Sequence, residues 1–263
     1  SYQFDRFILA IDHVQGDPFA SPSSLHVEIL HRQAGFPSAY LDSADARIAL
    51  ADHLTRCLSA QFETYNFKAK GSGKSGLIST THCGQEVLER TACEITKEGI
   101  HIRFFVGFPA NGRTINSGEL EKILFVYLPK CVEMSLYHRK VPERETEQVI
   151  CLKEDQRVIR EELKKRGLIA FVANGSILPR QSGNSDLPMK DAVPFQSPKS
   201  MEITIQLRHR GSITGMGIRK GITLIAGGGY HGKSTLLEAL EKGVYDHIAG
   251  DGREFVITDD TAW

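Results

Sequence analysis

The chain has 263 residues, 41% of them hydrophobic, and its 32 basic and 32 acidic side chains cancel to a formal net charge of zero. That is enough apolar material for a globular core, and too balanced a charge for a strongly basic nucleic-acid binder. No apolar run approaches the roughly 18 to 20 residues of a membrane span and no signal-peptide core opens the sequence, which predicts a soluble intracellular protein with no membrane partner.

Five cysteines, at 57, 83, 93, 131 and 151, form no C-x-x-C pair, so they are expected as free thiols in a reducing compartment. His82-Cys83 with Cys93 lacks zinc spacing, and neither an H-E-x-x-H nor a G-x-S-x-G pattern occurs.

Helices and strands alternate along the first two thirds without a repeat. Ile48, Ala51, Leu54, Leu58 and Phe62 share one face of an amphipathic helix over 45–62. Ile100 to Val106 reads as a strand, followed by a turn at Asn111-Gly112. Asn116 and Glu119 resemble a capping box opening a helix to Leu128, which Pro129 should end or kink. A further helix over about 154–166 stops at Gly167, and the strand Leu168 to Ala173 follows. Residues 174–200, rich in Pro, Gly and Ser, read as an irregular connection. Ile203, Ile205 and Leu207 alternate as a strand, a second short strand follows, and a turn at Lys220-Gly221 leads into the apolar run Ile222 to Ile225.

That run opens "ITLIAGGGYHGKSTLLEALEKG", which fits two glycine fingerprints at once. Gly227-x-Gly229-x-x-Gly232 is the dinucleotide pattern, and Gly227-x-x-x-x-Gly232-Lys233-Ser234 is the phosphate loop of nucleoside triphosphatases. Both require a strand before and a helix after, because the anion sits where a helix N-terminus presents unpaired N–H groups. Leu236, Leu237 and Leu240 supply the helical spacing, with Gly243 as its stop. Lys233-Ser234-Thr235 favours the triphosphate, which needs a cation at its β and γ phosphates and a hydroxyl on Mg²⁺. The dinucleotide alternative looks to a strand Phe255 to Ile257 ending at Asp259 and Asp260, where the acid falls late for a ribose contact.

The nucleotide site is therefore expected at Gly227, Gly228, Gly229, Tyr230, His231, Gly232, Lys233, Ser234 and Thr235, with ATP or ADP and Mg²⁺ as cofactors. Lys233 is the catalytic candidate, bridging the β and γ oxygens, and Ser234 is the Mg²⁺ ligand. Arg208 or His209 in "LRHRG" is the candidate adenine partner, against simple strand-edge exposure. A second loop, "KAKGSGKSG", has Lys68 where a triphosphate loop needs glycine and a strand where it needs a helix. Its Lys68, Lys70 and Lys74, with Arg208 and Arg210, are candidate RNA or phosphate contacts, and a solvated turn is the competing reading.

Five segments carry a family resemblance: "VQGDPFASPS" (14–23), "KGSGKSGLI" (70–78), "GQEVLERTA" (84–92), "FVANGSILPR" (171–180) and the stretch 227–259. In order and interval the sequence resembles the predicted ATPases of the ABC class, a family that includes a mitochondrial member associated with RNA editing. The resemblance implies an α/β protein: a family-specific α+β N-terminal domain, residues 1–166, and the start of an ABC-type P-loop core, residues 167–263. It implies an ATP-driven switch, possible dimerisation of two copies around nucleotide, an RNA partner, and location in the cytoplasm or mitochondrial matrix. The competing class is a non-catalytic RNA-binding module whose loop holds nucleotide for assembly alone. The Asp-Glu strand, signature segment and switch residue of such ATPases have no counterpart here, so the chain is expected to be the first part of a longer protein. "FVITDD" resembles the Asp-bearing strand, but Thr258 interrupts the apolar run and a strand-end turn is the preferred reading.

Overall fold

A computed structural model describes residues 1–229 and 231–262. The chain forms two compact units, residues 1–83 with 89–146, and residues 84–88 with those from 147 onward. Helix and strand are mixed along the chain, in keeping with the α/β class expected.

The first unit is built on a six-stranded sheet whose pairings are all antiparallel. Ser23–Leu30 pairs along its whole length with Gly99–Val106, placing Leu25 opposite Phe104 and Glu28 opposite His101. Ile8–His13 and then Tyr2–Gln3 extend one side, while Ile78–Ser79 and Cys93–Ile95 both pair with Gly99–Val106 on the other. Successive side chains of a strand point to opposite faces. Leu25, Val27, Ile29, Ile100, Ile102 and Phe104 are therefore buried together, and His26, Glu28, His101 and Arg103 share the outer face. The helix expected over 45–62 runs Ala44–Tyr65 and adds Leu50, Leu54, Leu58 and Phe62 to this core. Its N-cap is Ser43, whose hydroxyl accepts the Ala46 N–H at 3.0 Å.

Two expectations for the first unit need revision. Pro129 does not end its helix: Ser117–Lys122 continues as a π-helical turn over Ile123–Tyr127 and then as Leu128–Ser135. A proline ring collides with the carbonyl four residues back in an α-helix, and the wider turn, in which the Leu128 N–H bonds the Ile123 carbonyl, relieves the conflict. Burial of Ile123, Leu124, Leu128, Cys131 and Val132 holds the continuous helix on the core. The loop 68–76 is not the flexible lysine loop its glycines suggest. Its Ser72, Lys74 and Gly76 amides donate to the carbonyls of Ala110, Pro18 and Gly107 at 2.8, 2.8 and 2.9 Å.

In the second unit the sheet order is Glu202–Gln206, Ser212–Arg219, Leu168–Ala173, Val256–Thr258, with every pair antiparallel. The helix expected from about 154 begins earlier, at Glu143, and runs to Arg166; its Ile159 and Leu163 pack with Phe171, Ile205 and Ile257 on one face of the sheet. All but the first four residues of this helix belong to the second unit, because its apolar side belongs to that core. Ala170, Val172, Met216, Ile218 and Val256 face the other way and receive Ala239, Leu236 and Leu240 of the helix Lys233–Lys242. The connection 174–200 contains a small hairpin, Arg180–Ser182 with Ser185–Pro188. The segment 84–88 lends a two-residue strand, Glu86–Val87, to Asp246–His247.

All five cysteines are free. Burial pushes the Cys93 and Cys131 thiols up to about 12 and Cys57 up to about 11, so none of these three offers a thiolate at neutral pH. Among the described residues no helix is long and apolar enough to cross a membrane.

Candidate nucleotide site at the 227–235 loop

The helix after the loop forms as expected, over Lys233–Lys242. Its N-cap is Gly232 at φ 78°, a left-handed conformation that costs a glycine little and a side-chain-bearing residue more. Among the described residues no side chain caps this end. The first intrahelical bond runs from the Leu236 N–H to the Gly232 carbonyl at 2.9 Å, so the amides of Lys233, Ser234 and Thr235 precede it without helical acceptors. Orphan donors and the positive end of the helix dipole meet there, an arrangement suited to an anion. The Lys233 ammonium bends back across the loop and donates to the Gly228 carbonyl. The loop is thus closed by the one side chain that a bound polyphosphate would recruit, with an exposed Ser234 and a half-buried Thr235 beside it. A Cβ on Gly228 would lie 3.0 Å from the His231 ring, so the bare glycine makes room for the imidazole over the loop. Gly227 and Gly229 are exposed, and Tyr230 lies outside the described residues.

The strand expected before the loop is not formed. Residues 222–228 take no regular structure, and Ile222 and Leu224 are 105% and 86% exposed. β-branched residues favour a strand only where neighbouring strands supply a ladder and a face to pack on. Neither edge strand of the sheet, Glu202–Gln206 or Val256–Thr258, pairs with this segment.

The far end of the helix is anchored by residues that motif reading passed over. The Thr258 hydroxyl donates to the Leu240 carbonyl at 2.7 Å, and its N–H donates to the Gly243 carbonyl at 2.8 Å. The polar residue that interrupts "FVITDD" therefore serves the helix C-terminus. Asp259 closes a turn, accepting from the Thr261 N–H at 3.0 Å and from the Thr261 hydroxyl. Those bonds hold its carboxyl below the ordinary value. This is the strand-end turn preferred from the sequence.

Beneath the helix end lies a buried ion cluster. Asp246 accepts from Lys153, and from Arg160 at 2.9 and 2.6 Å, while Arg160 also donates to the Val244 and Thr258 carbonyls at 3.0 and 2.9 Å. Burial works to raise the Asp246 pKa, but the charges of Lys153 and Arg160 outweigh it and leave the carboxyl below its ordinary value. A second buried pair, Asp251 with Arg180 at 2.9 Å, carries His247 on the other carboxylate oxygen at 2.7 Å.

The remaining candidates lie in separate places. Backbone amides of His209 and Arg210 donate to Asp155 at 2.9 and 3.1 Å, and His209 Nε2 lies 2.5 Å from Glu154. Arg208 pairs with Glu154 at 3.3 Å, and the Arg210 guanidinium lies over the Phe255 ring at 5.0 Å. These groups already have protein partners, which weakens them as adenine or RNA contacts. In the first unit, the Lys68 ammonium sits 4.6 Å above the Tyr65 ring, Lys70 is exposed and Lys74 half-buried. A cleft of about 570 Å³ opens in the second unit between Ala173–Ser176, Ser212–Thr214 and Gly250–Phe255, within the size range of small-molecule sites, and none of the described residues of the 227–235 loop lines it.

Two family models match successive stretches of the chain. The family described as "ATPase of the ABC class N-terminal" matches residues 1–139, more than half of the chain, and a P-loop domain of ABC ATPases matches residues 142–263. An uncharacterized protein of Methanocaldococcus jannaschii, MJ1628, is 37% identical over 116 residues, covering 40% of this chain and 25% of its own length. The chain thus spans about a quarter of that relative.

Proposed function

Since the chain belongs to the ATPases of the ABC class and carries their P-loop domain, we propose that the 227–235 loop binds Mg²⁺–ATP and couples its hydrolysis to a conformational switch. The observation that carries the reading is the uncapped helix start at Gly232, with the Lys233 ammonium folded over the loop. In this proposal the amides from Gly229 to Lys233 surround the β-phosphate. Lys233 would move from the Gly228 carbonyl to the β and γ oxygens, Ser234 would hold the metal and Thr235 would contact the α-phosphate. The metal, when bound, would supply charge neutralisation on the phosphoryl group. Losing Lys233 would remove a hydrogen bond between an ammonium and a phosphate oxygen, worth about 1.5 to 3 kcal/mol, or roughly ten to a hundredfold in affinity.

Calorimetric titration with Mg²⁺–ATP is therefore expected to show Lys233→Ala weakened by at least about tenfold. Equal affinity in variant and parent removes the assignment. Sedimentation of the same samples with and without ATP reads whether two copies close on the nucleotide.

RNA enters the proposal through Lys68, Lys70 and Lys74. What supports it is their grouping on one loop; among the described residues Lys70 and Lys74 have no acidic partner within salt-bridge distance.

A further inference from the structure

We propose that the outer face of the first unit's sheet carries a divalent transition-metal site formed by His26, Glu28 and His101. One ligand atom from each of the three lies within 4.8 Å of the others, and among the described residues they form the one such group of His, Cys, Asp and Glu. The register of two long strands builds it. Glu28 and His101 are directly opposed across the pair, and His26, two residues before Glu28, falls on the same face. The opposite faces of these strands are locked in the core by Val27, Ile29, Ile100 and Ile102, so the positions are held by buried neighbours rather than by a mobile loop.

The hydrogen bonding leaves one nitrogen of each ring available to a ligand. Both carboxylate oxygens of Asp12 lie 2.8 Å from His26 Nδ1, which fixes the ring and leaves Nε2 for a ligand. That Nε2 is already 3.5 Å from a Glu28 oxygen, and two ligands of a tetrahedral zinc about 2.0 to 2.2 Å from the metal stand about 3.4 Å apart. His101 Nε2 is buried without a hydrogen-bond partner, while its Nδ1 faces Arg103 at 3.4 Å and Glu94 at 3.9 Å. The two rings meet edge to face with centroids 4.5 Å apart.

Charge points the same way. Asp12, Glu28 and Glu94 surround the rings, and the Arg103 guanidinium, paired with Glu94 at 2.8 Å, offsets one of these three carboxylates. Two negative charges remain for a dication to neutralise. Two imidazoles and one carboxylate are a zinc donor set that leaves a fourth position for water, and a carboxylate on the second nitrogen of a ligating histidine, as Asp12 is on His26, fixes the tautomer and orientation of the ring. The Glu28 side chain is about half exposed (52%) and can swing to complete the coordination.

The test uses the full chain, stripped with a chelator and titrated with zinc against a competing chelator of known affinity. One zinc per chain is expected. Asp12→Asn, a positioning change, is expected to lower affinity by about 10 to 100-fold, and His26→Gln or His101→Gln by at least as much, with circular dichroism unchanged. Cobalt(II) in place of zinc should give a d–d spectrum with no thiolate charge-transfer band, which separates this site from the free cysteines. Lys233→Ala should bind zinc like the parent, which separates it from the nucleotide loop. Zinc affinity and stoichiometry unchanged in the His26→Gln/His101→Gln double variant, or a thiolate band in the cobalt spectrum, would overturn the proposal.

Discussion

Two lysine-bearing loops use left-handed glycines. At Gly232 the residue supplies the turn into a helix start. Gly76 of the 68–76 loop has φ 79° and is crowded as well: a Cβ there would lie 2.0 Å from the Ala69 carbonyl, and one on Gly107, which abuts the loop, 1.8 Å from the Lys74 carbonyl. The amides of Lys68, Ser72, Lys74, Ser75 and Gly76 are spent on protein carbonyls, so a phosphate there would be held largely by side-chain charge. Lys70→Glu is accordingly expected to weaken single-stranded RNA binding equally across sequences and to flatten its logarithmic salt dependence by about 0.7 to 1 for each phosphate no longer neutralised. An unchanged salt slope, measured by fluorescence anisotropy, leaves the loop a solvated turn. The role of Gly232 was legible from Lys233-Ser234 beside it. The roles of Gly76 and Gly107 were not, because what crowds Gly107 lies more than thirty residues away in the chain.

Between elements, the helix Glu143–Arg166 ties the phosphate-loop helix to the strand Val256–Thr258 through Arg160 and Asp246. Asp246 is 6% exposed, Lys153 13% and Arg160 26%, so removing the carboxylate strands two cations in a low-dielectric setting. Asp246→Asn is expected to cost about 3 to 5 kcal/mol, read as a lowered urea midpoint at unchanged slope. A loss below about 1 kcal/mol would mean that water screens the cluster. Periodicity revealed most helices and strands because their apolar faces repeat locally, as Leu54, Leu58 and Phe62 do. It failed where tertiary surroundings decide: Pro129 is tolerated by a π turn, and Ile222 to Ile225 lacks a pairing partner. The outer-face histidines were invisible for the same reason, since Glu28 and His101 become neighbours only once the strand register is known.

Across the whole molecule, the two units should meet acid in different pH windows. In the first, His53 is buried on the helix Ala44–Tyr65, its Nε2 3.3 Å from the Thr146 hydroxyl. Burial holds this imidazole below its ordinary value, against the pull of Glu145 and Asp52. The unfolded histidine titrates near about 6.5, so below that pH the unfolded state takes up a proton that the folded unit resists, and stability falls as pH falls. In the second unit, Asp246 has a folded pKa below its unfolded value. Its contribution is complete above about pH 4 and is lost only as pH drops through the lower folded value. Native-state hydrogen exchange should therefore show the opening free energy of Ile100, Ile102 and Phe104 declining from about pH 6.5 downward. That of Phe171 and Val172 should hold until nearer about pH 4. His53→Gln should diminish the earlier decline, leaving the share of His101, whose pKa is also held low by burial, and should leave the later one intact. A single shared transition, or an early decline undiminished by the His53 substitution, would mean that other groups set the acid stability of the chain.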